Sequence, residues 1–492
     1  INKSANIRMK TNKTLLSTAV ALSLLGTTGM ANAAGFQLAE YSATGLGRAY
    51  AGEAAMADNS SAQWRNPAML TYLEGTQVSV GAIYVNPNID IEGDVNFHGS
   101  TSSASSDDFA HDAIIPNFYL SHQYNEKFAI GLAFGTNYGM ETDLGKGFGA
   151  SHFGNEASVT TMEANLNAAY KVNESISVGG GIRYIIGEGS FGAAAPKNNV
   201  VGQHPVTGDP ISVPQGTALK YMEGDDTAWG WQVGTAWQIN ENNRIGFAYK
   251  SEVELKLEGH AEGLGFGFGT KLSQLRDNGY MYLNLPATAE LASFHQVTDQ
   301  LALHASFNWT DWSSFEKLEA RLDTAGTHMV KVENWEDNYR FAVGATYQLD
   351  PKLALRTGIA YDTSAVSDKN RTITIPETDR TWLSIGATYD WTKDFSLDAG
   401  FTYIFAKDAP IVESRGYKSD DAAEQVGGQF VGGARQDARH RRLRPHRLAG
   451  RRAGRGDGHA RAHLRHPHHH GDRRLEAHRH AGRAAARGCR CC

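Results

Sequence analysis

The chain has 492 residues, 41% of them hydrophobic, with 53 Gly, 13 Pro and 3 Cys, and its net charge of −6 averages three unlike regions. Residues 1–33 carry four cations (Lys3, Arg8, Lys10, Lys13) and no acid, residues 34–434 carry 26 Lys and Arg against 49 Asp and Glu, and residues 435–492 carry 17 Arg against four acids. An acidic body excludes a nucleic-acid surface as the main business, since phosphates demand a basic stripe, and cysteines confined to Cys489, Cys491 and Cys492 exclude a disulfide framework or a cysteine metal module in the body.

Residues 1–33 read as an export signal. Met9-Lys10-Thr11-Asn12-Lys13 is a basic start, Leu15 to Leu25 is uncharged and apolar, and Ala31-Asn32-Ala33 gives the small-x-small cleavage pattern, so maturation is expected to leave Ala34 first. Ile1–Arg8 then read as an over-extended gene start upstream of Met9. The apolar run is about 11 residues, short of the ~20 that a membrane helix needs. Residues 34–75 follow without strand periodicity.

From 76 to about 410 the hydrophobic period is two. In Leu301–Thr310 one face carries Leu301, Leu303, Ala305, Phe307 and Trp309, and the other carries Ala302, His304, Ser306, Asn308 and Thr310. The same split recurs in 340–349, 353–361, 381–391 and 395–405. Strands are expected near 76–91, 116–124, 128–140, 158–171, 176–188, 228–239, 244–258, 280–296, 301–312, 339–349, 353–362, 380–391 and 395–406. Their connections alternate between short turns (125–127, 172–175, 240–243, 350–352, 392–394) and long loops (92–115, 141–157, 189–227, 259–279, 313–338, 363–379). Short turns on one rim and long loops on the other are the mark of an outer-membrane barrel, whereas a soluble sandwich has no reason to sort its loops. The expected fold is therefore all-β: a transmembrane antiparallel β-barrel in the bacterial outer membrane, spanning 76–431.

Such barrels have an even number of strands. Fourteen are expected and thirteen are recognisable; the fourteenth should start near Gly427. It begins acceptably at Gln429-Phe430-Val431, but after Val431 there is no Phe, Tyr, Trp, Ile or Val. Residues 432–492 accordingly read as the structureless product of a shifted reading frame. The histidine run at 466–470 and the arginines could in isolation bind a metal or an anion. A basic domain with neither Lys nor material for a core is nevertheless an odd design.

With these segments in place, the chain resembles the FadL-type long-chain fatty acid transporters of the outer membrane. The resemblance runs from 34 to about 431. It rests on the small-residue start at Ala34-Gly35-Phe36, Gly45-Leu46-Gly47-Arg48-Ala49-Tyr50-Ala51-Gly52-Glu53, the triplet Asn66-Pro67-Ala68, Tyr249-Lys250-Ser251-Glu252-Val253, Leu283-Asn284-Leu285-Pro286, and the stretch Asn370 to Pro376 followed by Asp379-Arg380. It implies that 34–75 is a hatch plugging the barrel lumen, with Asn66, Pro67 and Ala68 inside it and Phe36 reaching the ligand pocket. Taken alone, Asn66-Pro67 predicts only a rigid turn, and Phe36 only ordinary core packing. The resemblance further implies a kink at Thr136-Asn137-Tyr138-Gly139 that opens the wall sideways, and a head-group lysine at Lys331; a lone charged loop residue is otherwise more often solvated. A second head-group cation, expected after strand five, falls near Gly192–Ala195 and is absent.

The function implied is binding of a long-chain fatty acid under the plug and its lateral release into outer-membrane lipid, by a monomer that needs no cofactor, metal or nucleic acid. A channel for aromatic or aliphatic hydrocarbons is the alternative. A barrel lipase is disfavoured: His304 and Ser306 share a strand face, but no acid–His–Ser set can be placed, so no catalytic residue is assigned. A hydrophilic porin would have an open lumen and a large ion conductance.

Overall fold

The computed structural model describes residues 35–97, 100–197, 199–203, 210–269, 274–414 and 429–436. The expected signal peptide, and the tail beyond Gln436, lie outside the described residues.

Thirteen strands follow one another round an antiparallel sheet among the described residues. They are β1 (Thr76–Val85), β2 (Ala113–Asn125), β3 (Phe128–Gly135, resumed as Gly139–Asp143), β4 (Glu156–Lys171), β5 (Ile176–Ala194), β6 (Ala218–Asn240), β7 (Asn243–Lys250, resumed as Val253–Glu262), β8 (Arg276–Leu285, resumed as Thr288–Gln296), β9 (Leu301–Thr310), β10 (Asn338–Asp350), β11 (Leu353–Asp362), β12 (Arg380–Asp390) and β13 (Ser396–Ala406). Each is hydrogen-bonded to the next in sequence, from Thr76 opposite His122 on the first pair to Asp390 opposite Ser396 on the last. The long connections hold more structure than expected. β6 begins ten residues earlier than periodicity suggested, because its Glu223 to Asp225 alternate polar on both faces and give no apolar signal while the ladder to β5 continues.

The two faces of the ring are the reverse of a soluble protein's. Leu303 is 43% exposed and Phe307 38%, while Ala302, His304, Ser306 and Thr310 on the opposite face are buried. Phe341, Val343, Ile385 and Phe401 likewise point out, with Trp229, Trp231, Trp237 and Trp391 exposed among them. An apolar exterior with aromatic side chains and a polar interior is stable only where the solvent outside is lipid.

Between β13 and β1 no ladder is present among the described residues. On the long-loop rim their continuations, Ala409–Ser414 and Ile89–Phe97, are joined by Gln429–Gln436, which pairs with both in a separate four-stranded sheet with Ser100–Ser106. Strand structure thus runs five residues past Val431, the point where composition had suggested failure. Glycine explains the difference: a Cβ on Gly432 would fall 2.6 Å from the Gly93 Cα. Small residues there let the two strands meet closely, while Phe430 anchors the sheet in an apolar cluster.

Residues 35–75 form short helical turns, α1 (Ala43–Leu46) and α2 (Ala62–Arg65), and a 3₁₀ turn, Pro67–Tyr72. They lie against the polar inner face of the ring. Wall glycines admit their backbone: a Cβ on Gly179 of β5 would fall 2.4 Å from the Ala68 nitrogen, and one on Gly358 of β11 2.1 Å from the Arg48 oxygen.

Candidate functional site

The segment before β1 is fixed to the wall in two different ways. Over residues 48–66 the means are charge and side-chain hydrogen bonds. Arg48 donates to Glu53 and Asp58 (2.6 Å each) and to the Ala51 carbonyl (3.0 Å), and the Tyr41 hydroxyl donates to Glu53. Asp58 lies 3.8 Å from Arg356 of β11, Arg65 lies 3.1 Å from Glu290 of β8, and Arg340 of β10 donates to the Ala49 carbonyl at 2.8 Å. Asn66 forms the expected rigid turn: its Oδ1 accepts from the Ala68 N–H at 2.9 Å, while its Nδ2 donates to the Ala54 carbonyl (2.6 Å) and to the Thr235 carbonyl of β6 (3.0 Å). Pro67 starts the 3₁₀ turn, where its missing N–H costs nothing.

Over residues 36–38 the means are backbone pairing and aromatics. β3 is interrupted at Thr136-Asn137-Tyr138. There the Leu38 N–H donates to the Asn137 carbonyl (2.7 Å) and the Gly139 N–H to the Phe36 carbonyl (2.8 Å), so the chain start fills the break as a fragment of strand. The β2–β3 ladder ends at Phe118 opposite Phe134. Above it, Ala113–Asn117 pair with β1, and Gly139–Asp143 pair with β4. The ladder between β2 and β3 therefore lapses from Phe118 up to the single bridge Ala110–Thr142, leaving a gap in the wall, and Leu38 is buried in that stretch against Ile115.

Phe36 is buried in a box of aromatic rings, with centroids 4.6 Å from Trp312, 5.7 Å from Phe315, 5.9 Å from Trp335 and 6.2 Å from Tyr138. The box belongs to a large apolar cluster that reaches through Leu255, Leu283 and Met222 to Phe191. Beside Phe191 stands Lys331, in the long-loop hairpin Gly326–Val332; it is 7% exposed and its Nζ donates to Thr372 (2.6 Å) and Thr374 (3.0 Å). It is thus a buried cation, not a solvated one. Glu333 accepts from the indole of Trp335 at 2.9 Å, and burial pushes its carboxyl above the usual value against the opposing pull of Lys331.

Residues 192–195 contain no cation. Opposite Ala193, however, β6 carries Lys220, whose Nζ donates to the Met329 carbonyl at 3.3 Å. Position along the sequence could not reveal this, because the two strands are joined by the long connection 195–217. Sequence reading named Lys250 only as a point of resemblance and missed the group it joins: Glu163 of β4, Arg183 of β5 and Lys250 of β7, buried together beside Asn137. Charged residues on the inner face of membrane strands are the signal that could have singled them out. Tyr249-Lys250-Ser251 and Leu285-Pro286 mark the breaks in β7 and β8 on either side of them. His304 and Ser306 form no pair: His304 bonds Thr346 (2.9 Å) and Ser306 the Tyr50 carbonyl (3.4 Å).

A ring that is apolar outside and polar inside, with long loops on one rim, defines an outer-membrane β-barrel. The chain belongs to the outer membrane protein transport family (OMPP1/FadL/TodX), whose family model matches residues 24–438. It is 37% identical over 428 residues to outer membrane protein P1 of Haemophilus influenzae (81% of this chain, 91% of that one) and 34% identical over 430 residues to the long-chain fatty acid transport protein of Escherichia coli O6:H1 (83% and 94%). In fold it is similar to a Pseudomonas aeruginosa FadL homologue (TM-score 0.70, 24% identity, 82% of this chain and 97% of that one) and to the CymD monoaromatic hydrocarbon channel (TM-score 0.53, 17% identity, 81% and 97%). It is an outer-membrane transporter of hydrophobic compounds.

Proposed function

We propose that this chain carries long-chain fatty acids, as a monomer without enzymatic activity, and releases them sideways into the bilayer. In this reading residues 35–75 plug the lumen. The ligand enters among the long loops, lays its tail in the aromatic box in place of Phe36, and sets its carboxylate near Lys331. Each buried CH₂ contributes about 0.8 kcal/mol, so a long tail supplies the affinity, while a buried ammonium offsets the cost of desolvating the carboxylate. Displacement of Phe36 withdraws residues 36–38 from the break in β3, and the tail leaves between β2 and β3 without crossing the polar rim. The relatives named as long-chain fatty acid transport proteins support the ligand class.

The observation that carries the route is Leu38 seated against Ile115 in the parted wall. A Leu38→Cys/Ile115→Cys pair tests it in a background with Cys489, Cys491 and Cys492 changed to Ser, since residues 35–434 contain no other cysteine to compete. Uptake of a radiolabelled C16 acid by the inserted protein should stop on oxidation and return on reduction; unchanged uptake in the oxidised form would sink the lateral route. Hydrocarbon transport is the second reading; residues 192–195 themselves supply no cation, and Lys220 opposite Ala193 is the position that would have to fill that role for an acid. The hydrocarbon reading predicts that an alkane competes with the acid at equal concentration. We also take the residues beyond Gln436 as a shifted reading frame. Sequencing the 3′ end of the gene should recover a frame encoding a strand that continues Gln429–Gln436 down between β13 and β1.

A further inference from the structure

The break in β3 faces a cluster whose charges do not cancel. Glu163 forms a two-bond pair with Arg183 (2.9 Å to Nε, 2.8 Å to a terminal nitrogen), and its Oε2 also accepts from the Asn137 amide at 2.5 Å. Arg183 completes its bonding at the Ser251 carbonyl (2.9 Å). The carboxylate is therefore already satisfied when Lys250 arrives: its Nζ stands 3.7 Å from Glu163 and has a long hydrogen bond, 3.4 Å, to the Asn137 Oδ1. Beneath it lies the Trp64 ring of α2, 4.3 Å away. All three charged side chains are buried, and the next ion pair, Arg65–Glu290, is balanced in itself. One carboxylate thus faces two cations in a site from which water is largely excluded.

A buried ammonium has three protons to place, and an uncompensated buried charge is costly. Glu163 is already satisfied by Arg183 and Asn137, so the ion pair gives no reason of its own for a second cation at this position. The placement of Lys250 is informative. Asn137, which it touches, is one of the three residues that interrupt β3, and the neighbouring Tyr138 closes the aromatic box and donates to the Pro286 carbonyl at 2.7 Å. The apolar cluster therefore has Lys331 beside one end and Lys250 beside the other, next to the parted wall.

We propose that Lys250 is a second anion station: it receives the carboxylate of an amphipathic ligand at the break in β3, after the tail has passed Phe36 and before release between β2 and β3. The inference rests on the transport reading above and extends it to the head group's path. A carboxylate at Lys250 would neutralise the cluster and fill the donors that Asn137 leaves weakly used. A ligand without a carboxylate would gain nothing from it.

The test compares palmitate with hexadecanol, which has the same tail and no charge, in the full chain reconstituted in liposomes. Lys250→Met leaves the Glu163–Arg183 pair intact. It should lower palmitate uptake by at least tenfold and change hexadecanol uptake by less than twofold, while Lys250→Arg restores palmitate. Lys250→Gln, which keeps the bond to Asn137, serves if the Met variant does not insert. Palmitate uptake within twofold of wild type, or equal loss of both ligands, overturns the assignment, the latter marking Lys250 as purely structural. A wild-type protein that moves neither ligand overturns the transport reading itself, and the station with it.

Discussion

The stretch from Arg48 to Asn66 and the stretch from Phe36 to Leu38 belong to one segment and face one wall, yet they are held by different physics. The first is pinned by buried ion pairs to β8 and β11 and by side-chain hydrogen bonds to backbone. Each such bond is directional, and losing one partner strands the other in a low-dielectric interior. The second is held by two backbone hydrogen bonds and by packing of one aromatic and one leucine. Apolar contacts are non-directional, and a ligand tail can replace them at little net cost. The difference divides the segment into a part pinned by charge and a part held by apolar packing, which in the proposed route is the part a hydrophobic solute exchanges with.

The largest effect is expected where the fixed part is cut. Arg48→Ala leaves Glu53 and Asp58 buried without their guanidinium, at about 3–5 kcal/mol. Thermal unfolding should fall, and ion conductance in planar bilayers should rise as the segment loosens. A stable, silent variant would mean that the pins do not matter. Asn66→Ala removes one accepted and two donated hydrogen bonds from a turn that supports no strand. It should cost about 1–3 kcal/mol and raise conductance less than Arg48→Ala does, with the barrel still folded by circular dichroism.

The exchangeable part should respond in the opposite sense. If a tail takes the place of Phe36, then Phe36→Ala removes the competitor, and displacement of a fluorescent fatty acid should show several-fold tighter binding. Weaker binding would make Phe36 part of the ligand's lining instead. The smallest effect concerns Glu333, in a long-loop segment outside the wall. Burial raises its carboxyl; a group so raised stabilises the fold below the ordinary carboxylate range, and that contribution is lost as pH rises through the raised value. If Lys331 receives the ligand carboxylate as proposed, ionised Glu333, which feels the charge of Lys331, would compete with it. Affinity should therefore climb a few-fold as pH falls from neutral through that raised value, and Glu333→Gln should flatten the profile. A wild-type profile that is already flat would remove Glu333 from the site.

Several parts of this arrangement were legible residue by residue. Alternation in Leu301–Thr310 identified the strand and its two faces, and burial of His304 and Ser306 against exposure of Leu303 and Phe307 follows that alternation. Asn66-Pro67 predicted a turn, because one side chain caps and the other lacks a donor. Lys331 was visible only as a charged loop residue and as a point of resemblance. Its burial depends on Thr372 and Thr374, some forty residues away in sequence, and no local pattern encodes that meeting.

The sequence by itself determined the period, the polarity of each face and the sorting of loops into short and long, since these depend on neighbours two residues apart and on chain length between strands. The tertiary structure alone decided which inward residues meet. It set Leu38 into the seam beside Ile115, and it brought Glu163, Arg183 and Lys250 together from three strands. It also turned Gln429–Gln436 onto the continuations of β1 and β13. The physical reason is that a barrel's inner face is a surface closed on itself: which side chains face each other across it is fixed by register and by the breaks in β3, β7 and β8, and those depend on every ladder around the ring at once.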